Sequence, residues 1–150
     1  IEEVEALVAP QFRKQQITVE KVLAPELPLL EIDIDRLKQV LLNLLMNAFQ
    51  AMAGSGRIRM ETRWRKDGNR VEITVEDNGC GIARDQIDKI FDPFFTTKKP
   101  GEGTGLGLSV SYGIVHEHGG DIRAESEPGQ WTRFTIGLPV EPERSETDDA

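Results

Sequence analysis

Hydrophobic and polar residues alternate with two different periods along this chain, and each period predicts one type of element. Between residues 35 and 53 the apolar side chains recur every three or four positions, which predicts an amphipathic helix. Asp33 or Asp35 can cap its start, and the run 54–56 (Gly-Ser-Gly) ends it. Shorter patterns of the same period predict helices over 1–15, with a break near Pro10, over 85–91 and over 109–118.

The period changes to two in several other segments, which predicts strands. Residues 57–65 alternate inward-facing side chains, from Ile58 to Trp64, with charged ones. The turn 66–69 joins this run to a second strand over 71–75. Further strands are predicted over 17–22, 29–32, 121–126 and 131–138. Because hairpin connections dominate, the expected fold is an α/β (α+β) two-layer sandwich, with a mixed, mostly antiparallel sheet of about five strands and three helices on one face.

One long segment, 92–107, shows neither period, and the glycine-rich run 101–108 (Gly-Glu-Gly-Thr-Gly-Leu-Gly-Leu) lies at its end. A loop of this length inside a compact domain is usually functional. Glycines allow the backbone to approach a ligand closely, and the helix 109–118 follows at once. Free N–H groups and the helix dipole at such a start attract anions. The run therefore predicts a phosphate-binding loop.

The composition limits the partners of this chain of 150 residues. A net charge of −8 argues against nucleic acid or an anionic membrane surface as the partner. The single cysteine excludes a disulfide framework, and one cysteine with two histidines does not make a typical zinc site. No apolar run approaches the ~20 residues of a membrane helix. Residues 1–140 are predicted to form one domain, and 141–150 an acidic, disordered tail.

Three polar clusters could carry chemistry, and each also has a purely structural interpretation. Asn43 and Asn47 lie one helical turn apart, so they could ligate a hard cation or bind phosphates, or they could be polar residues at a helix boundary. The run 77–81 (Asp-Asn-Gly-Cys-Gly) could meet the edge of a planar ligand, or form a plain turn. The aromatic residues of 91–98 could anchor a lid from which Lys98 reaches an anion, or fasten a surface loop to the core.

The order of these clusters, with the glycine run last, resembles the four motifs of sensor histidine kinases. The matching segments are Asn43-Leu-Leu-Met-Asn47-Ala for the N box, Asp77-Asn-Gly-Cys-Gly81 for the G1 box, Phe91-Asp-Pro-Phe-Phe95 for the F box and Gly103-Thr-Gly-Leu-Gly-Leu108 for the G2 box. The likeness runs from about residue 1 to Pro139, and four motifs in order make it specific. It is a likeness to the catalytic, ATP-binding domain of two-component sensors of the nitrogen-regulation type. This resemblance implies the Bergerat fold, which gyrase, Hsp90 and MutL ATPases share.

The resemblance implies an ATP site with Mg²⁺ and gives roles to the positions that match the motifs. Asn47 would ligate Mg²⁺ that bridges the phosphates, and Asn43 would assist from the same helix face. Asp77 would accept a hydrogen bond from the adenine amino group, and Thr132 would support that end. The other positions expected to contact the nucleotide are Gly79, Gly81, Ile82, Phe91, Thr97, Gly103, Thr104, Gly105, Leu106, Gly107 and Leu108.

The chain departs from the family pattern at two positions. Many members carry Lys or Arg where this chain has Gln50, so the phosphate charge should be met from the predicted ATP lid, 92–104, by Lys98 and in second place by Lys99. The ATPase members place a glutamate base where this chain has Asn43, and an amide cannot take a proton from water. The second departure favours a kinase over an ATPase.

The resemblance also implies an enzyme whose phosphoacceptor lies outside this chain. Histidine kinases phosphorylate a histidine on a separate dimerisation domain, and a response regulator receives the phosphoryl group afterwards. Neither His116 nor His118 fits such an acceptor helix. We therefore expect a cytoplasmic protein histidine kinase domain of two-component signalling, without nucleic acid or direct membrane contact, in a parent protein that could itself be membrane-anchored. Two alternatives stay open: an ATPase of the same fold that drives conformational clamping, and a non-catalytic nucleotide-binding or interaction module.

Overall fold

A computed structural model describes residues 1–93, 95 and 107–140. The chain forms three α-helices and five strands in these segments. In chain order they are α1 (Glu2–Lys14), β1 (Ile17–Val22), α2 (Ile34–Ala51), β2 (Gly56–Arg65), β3 (Arg70–Asp77), α3 (Gly107–Glu117), β4 (Asp121–Glu127) and β5 (Trp131–Pro139). A single 3₁₀ turn, Ile87–Lys89, stands where the sequence predicts a short helix over 85–91.

The five strands form one mixed sheet in the order β1-β2-β3-β5-β4. β1 runs parallel to β2, with Ile17 opposite Gly56, because the connection between them passes through α2. The β2–β3, β3–β5 and β4–β5 pairs are antiparallel. The prediction of a mixed, mostly antiparallel sheet of five strands with three helices is confirmed.

The two faces of the sheet have opposite character. Inward-facing residues of β2 and β3, among them Ile58, Met60 and Val75, are buried in one hydrophobic core with residues of all three helices. The opposite face carries interleaved arginines and glutamates from β2 to β5, which form ion pairs across the strands. The helices therefore cover one face, and the charged face is open.

Helix α2 crosses the covered face and presents the site described below. The Asp33 side chain caps it by accepting a hydrogen bond from the Arg36 backbone N–H at 3.2 Å. Its core side is buried at residues with the predicted spacing, which are Val40, Leu41, Leu44, Leu45 and Ala48. The helix ends at Ala51, just before Gly54, which has a φ of +92°.

The predicted break in α1 at Pro10 is wrong. The helix continues through this residue because Val4, Val8 and Phe12, on both sides of it, are buried on one face. The Phe12 ring also stacks on Phe49 of α2, with 5.3 Å between ring centroids. This packing outweighs the roughly 3 kcal/mol that an interior proline costs, and the Pro10 ring itself is exposed.

The predicted strand over 29–32 is also wrong. This segment has no regular secondary structure and does not belong to the sheet, although Leu30 and Ile32 pack against the core. Leu29 points outward and is 96% exposed. The alternation therefore reflects residues that pack alternately on the core and in solvent, without strand pairing.

His118 ties the end of α3 to the start of α2. One ring nitrogen, Nδ1, lies 2.7 Å from the Ile114 carbonyl oxygen, and Nε2 accepts the Asp33 backbone N–H at 3.0 Å. Both ring nitrogens are thus engaged in holding two helices together. Within the described residues, no helix is both long and apolar enough to span a bilayer.

Candidate nucleotide-binding site

Asp77 lies at the end of β3 and is the buried carboxylate of the site. It is only 4% exposed, and it pairs in register with Thr132 of β5, so both side chains lie on the helix-covered face. Its Oδ1 accepts the Gly79 backbone N–H at 2.9 Å. Burial raises the pKa of the Asp77 carboxyl to about 6, an effect that the Gly79 hydrogen bond opposes and the charge of Glu76 increases. Because burial removes this carboxyl from water, it is suited to accept a hydrogen bond from a ligand N–H instead.

The loop after Asp77 is held against the last turn of α2. The Cys80 N–H donates to the Ala51 carbonyl oxygen at 3.0 Å. A Cβ on Gly79 would lie 2.6 Å from that same oxygen, and Gly81 has a φ of +71° beside the Glu127 backbone. Both glycines are therefore required by close approach of two backbones, and Gly81 by its conformation as well.

Substitution at Gly79 tests this packing. We expect Gly79→Ala to lower the free energy of unfolding by about 2 kcal/mol or more, because the new Cβ overlaps the Ala51 backbone, which cannot move without displacing α2. Gly113→Ala in α3 is the matched control, since a Cβ there meets nothing within 4 Å. This control should stabilise the domain by up to about 1 kcal/mol through helix propensity. Urea unfolding of both variants measures the difference, and equal stabilities would contradict the close approach.

Asn43 and Asn47 lie one turn apart on α2, but they have different surroundings. The Asn43 Nδ2 donates to the Gly107 carbonyl oxygen at 3.3 Å and to the Ser111 hydroxyl at 3.2 Å. It thus fastens α2 to the first turn of α3. Asn47 is partly buried, and no hydrogen bond within the described part of the chain engages its amide. Among the described residues, only Asn43 of this pair is engaged through its amide.

These contacts arrange the candidate residues in a line along α2. The start of α3 meets this helix at Asn43, Asn47 follows one turn later, and the Asp77 loop meets it at Ala51. Eight residues of α-helix span about 12 Å. The buried carboxylate lies at one end of this line and a helix N-terminus lies at the other.

The other described candidates brace the site. The Phe91 ring contacts Tyr112 at 5.7 Å and Phe134 at 6.3 Å between centroids, which joins the segment before the predicted lid to α3 and β5. Ile82 and Leu108 are partly buried and pack against the core. These contacts support the structural interpretation of Phe91, as an anchor, without testing a contact with nucleotide.

Six of the predicted contact residues fall outside the described residues. They are Thr97, Lys98, Gly103, Thr104, Gly105 and Leu106. Lys99 and the predicted tail 141–150 also lie there.

Sequence reasoning missed Ser126, which joins the two strands at the Asp77 end of the site. Its Oγ donates to the Trp131 carbonyl oxygen at 2.7 Å and accepts the Ile82 N–H at 2.7 Å. The same oxygen lies 3.1 Å from the Thr132 hydroxyl. A serine beside a predicted hairpin turn carries no signal of this role in the sequence, because the role depends on strand pairing.

A groove of about 360 Å³ also runs along the open face of the sheet. Its arginines and glutamates, such as Arg133 with Glu76 at 2.8 Å, are paired with one another. It shares neither Asp77 nor the asparagines of α2, so we do not assign the nucleotide to it.

Comparison with known proteins identifies the family. Residues 32–142 match the model of the histidine kinase-, DNA gyrase B- and HSP90-like ATPases. The catalytic domain of histidine kinase ThkA superimposes with a TM-score of 0.83 and is 35% identical, over 94% of this chain and 92% of that one. The chain belongs to this family, as a histidine kinase catalytic domain.

Two further relatives are much longer than this chain. AtoS, a signal transduction histidine-protein kinase of Escherichia coli, is 46% identical over 145 residues, which are 95% of this chain and 23% of AtoS. This chain thus spans about a quarter of that relative's length. Full-length ShkA, solved in complex with AMPPNP, has a TM-score of 0.81 and 30% identity over 92% of this chain and 28% of ShkA. ThkA has also been solved in complex with the response regulator protein TrrA, with a TM-score of 0.80 and 33% identity over 96% of this chain and 40% of that one.

Proposed function

We propose that this domain binds Mg-ATP and transfers its γ-phosphoryl group to a histidine on a separate dimerisation domain of the same kinase. The observation that carries the proposal is the line along α2, which holds a buried acceptor, a partly buried amide and a helix N-terminus in the order that a nucleotide requires. Adenine would lie at the Asp77 end, and the phosphates would lie between Asn47 and the start of α3.

The adenine end is supported by burial and hydrogen-bond direction. Asp77 has one oxygen engaged by Gly79, and its second oxygen has no partner among the described residues. A ligand amino group offers the N–H that this oxygen lacks. The AMPPNP complex of ShkA supports the same ligand class, because AMPPNP is an ATP analogue.

The phosphate end is supported by α2 and α3 together. The first turn of α3 presents backbone N–H groups, which favour anions, and Asn43 fixes this turn on α2. Among the described residues no group of three His, Cys, Asp or Glu side chains could hold a metal by itself. A single amide oxygen such as that of Asn47 suits Mg²⁺, which takes most of its ligands from phosphates and water. When bound, Mg²⁺ would neutralise charge that develops on the phosphates.

The chemistry assigned to the domain is positioning rather than proton transfer. In the reaction, a histidine nitrogen attacks the γ-phosphorus, the bond to the bridging oxygen breaks, and ADP leaves. Asn43 cannot remove a proton from water, and its amide nitrogen is already committed to Gly107 and Ser111. These contacts favour transfer to a histidine over ATP hydrolysis.

The described histidines of this chain support an acceptor elsewhere. Both ring nitrogens of His118 are engaged in the helix contact with Asp33 and Ile114. His116 stacks on Tyr112, with 6.0 Å between centroids. The complex of ThkA with a response regulator supports a second transfer, from the dimerisation domain to a receiver domain.

A reconstituted transfer reaction tests the proposal. We expect residues 1–140, mixed with Mg-ATP and the separate dimerisation domain, to place acid-labile phosphate on that domain with little release of free phosphate. A dimerisation domain whose acceptor histidine is replaced by glutamine is the control. Rapid free phosphate without labelling would favour the ATPase alternative, and ATP binding without either product would favour the non-catalytic module.

A further inference from the structure

Ser126, Thr132 and Asp77 form a row across β4, β5 and β3. Thr132 pairs in register with Ser126 on one side and with Asp77 on the other, so the three side chains lie on the same face of the sheet. Thr132 and Asp77 are each 4% exposed. The row thus leads from a half-buried serine to the carboxylate proposed to meet adenine.

The partners of Ser126 determine where its proton lies. A hydroxyl has one proton to donate and two lone pairs to accept with. The Trp131 carbonyl oxygen, at 2.7 Å, can only accept, so it takes the Ser126 proton. The Ile82 N–H, at 2.7 Å, can only donate, so it occupies one lone pair of Ser126. A single lone pair of Ser126 then remains for Thr132.

This assignment fixes the direction of the Thr132 hydroxyl. The Thr132 Oγ1 lies 3.1 Å from Ser126 Oγ, and it must donate its proton there because Ser126 has no second proton to give. Within the described residues, no other side-chain hydrogen bond reaches the Thr132 hydroxyl. The side of Thr132 that faces away from Ser126 therefore offers lone pairs only.

We propose that Ser126 is a positioning residue for nucleobase recognition, because it holds Thr132 as a hydrogen-bond acceptor beside the carboxylate of Asp77. This inference rests on the proposed function, and it adds a physical reason why the site would select adenine. Two neighbouring acceptors require a ligand edge that brings N–H donors, directly or through one water. The amino group at position 6 of adenine supplies them, and a purine that lacks this group leaves both acceptors unpaired.

Comparison of ADP with the diphosphate of purine riboside, which has hydrogen in place of the amino group, tests the inference. Wild type should bind ADP more tightly than the purine analogue. In Ser126→Ala the Thr132 hydroxyl is free to turn and donate, so the ratio of the two dissociation constants should fall about fivefold, the value of one hydrogen bond. Ser126→Thr, which keeps a hydroxyl, should restore the ratio. Calorimetry with each ligand measures it.

A merely structural role of Ser126 predicts a different result, because looser packing would lower the affinity for both ligands by the same factor. Thr135→Val is the matched control, since Thr135 is equally buried on β5 but lies outside the row. An unchanged ratio in Ser126→Ala, with ADP still bound by wild type, would overturn the inference alone. Failure of wild type to bind ADP would overturn the proposed function together with it.

The hydroxyl protons of wild type give a second test that needs no variant to fold. NMR should show the Thr132 hydroxyl proton close to the β-protons of Ser126. A Thr132 proton directed towards Asp77 would overturn the inference.

Discussion

Asn47→Ala is expected to lower the rate of Mg-ATP-dependent transfer to the dimerisation domain by at least about a hundredfold. The reason is that a metal ion held at the phosphates contributes several kcal/mol to stabilisation of the transition state. The fold should be unaffected, because the Asn47 amide makes no hydrogen bond within the described part of the chain. The melting temperature of the nucleotide-free domain should therefore stay within a few degrees of the wild-type value.

Gln39→Ala on the same helix is the matched control, since Gln39 carries the same amide group but is exposed, two turns before Asn47. Its transfer rate should equal that of wild type. ADP binding in the presence of a chelator should also be similar in Asn47→Ala and wild type, because that measurement removes the metal from both. A near-normal transfer rate in Asn47→Ala would remove Asn47 from the metal site.

Asp77→Asn is expected to weaken nucleotide binding and to stabilise the empty domain at the same time. The asparagine Oδ1 can still accept the Gly79 N–H, but its amide nitrogen now meets the adenine amino group with a donor. Loss of a charge-assisted hydrogen bond in a buried site should weaken ADP and ATP alike by at least about tenfold. Titration calorimetry with both nucleotides measures this loss, and unchanged affinity for both would remove Asp77 from the site.

The stability gain follows from the raised pKa of Asp77. Because the pKa is about 6 in the folded protein and 3.8 for the ordinary carboxyl, the folded state binds the proton more tightly than the unfolded state. Stability is therefore lost as pH rises from about 4 to 6, and the full cost of up to about 3 kcal/mol is present above pH 6. Asp77→Asn removes the ionisation, so it should raise the melting temperature at pH 7.5 by several degrees.

This advantage of Asp77→Asn should shrink as pH falls towards 4, since the carboxyl of the folded wild type is then protonated and no charge is buried. Glu20→Gln, on the exposed edge strand β1, is the control and should show no such pH-dependent gain. A gain that is the same at pH 4.5 and pH 7.5 would contradict an ionised, buried Asp77.

The spacing of apolar residues and the capping residues were enough to predict the helices and strands that interactions between near neighbours in the sequence stabilise. The apolar spacing of α2, its Asp33 cap and the alternation of β2 are all present in the structure. The two errors have the same origin. At Pro10 and at 29–32, tertiary packing against the core decided between helix and break, and between strand and irregular chain.

The sequence likewise predicted which residues form the candidate site, but not all of their contacts. Motif order placed Asp77, Gly79 and the two asparagines of α2 in one region, and the structure brings the Asp77 loop against the last turn of α2. The sequence could not show that Asn43 is bonded to α3, because its partners Gly107 and Ser111 lie more than sixty residues away. The nucleotide roles of these residues stay predictions.

By itself, the sequence determined the family, most of the element types and the residues able to serve a nucleotide, because spacing and side-chain chemistry are local properties. Only the tertiary structure decided which of these residues are free and which are engaged. Asn47 and Asn43 look equivalent along the helix, yet packing of α3 occupies Asn43, whereas no hydrogen bond from the described residues reaches the Asn47 amide. The raised pKa of Asp77 and the direction of the Thr132 hydroxyl likewise depend on burial and strand register, which arise only when distant segments pack together.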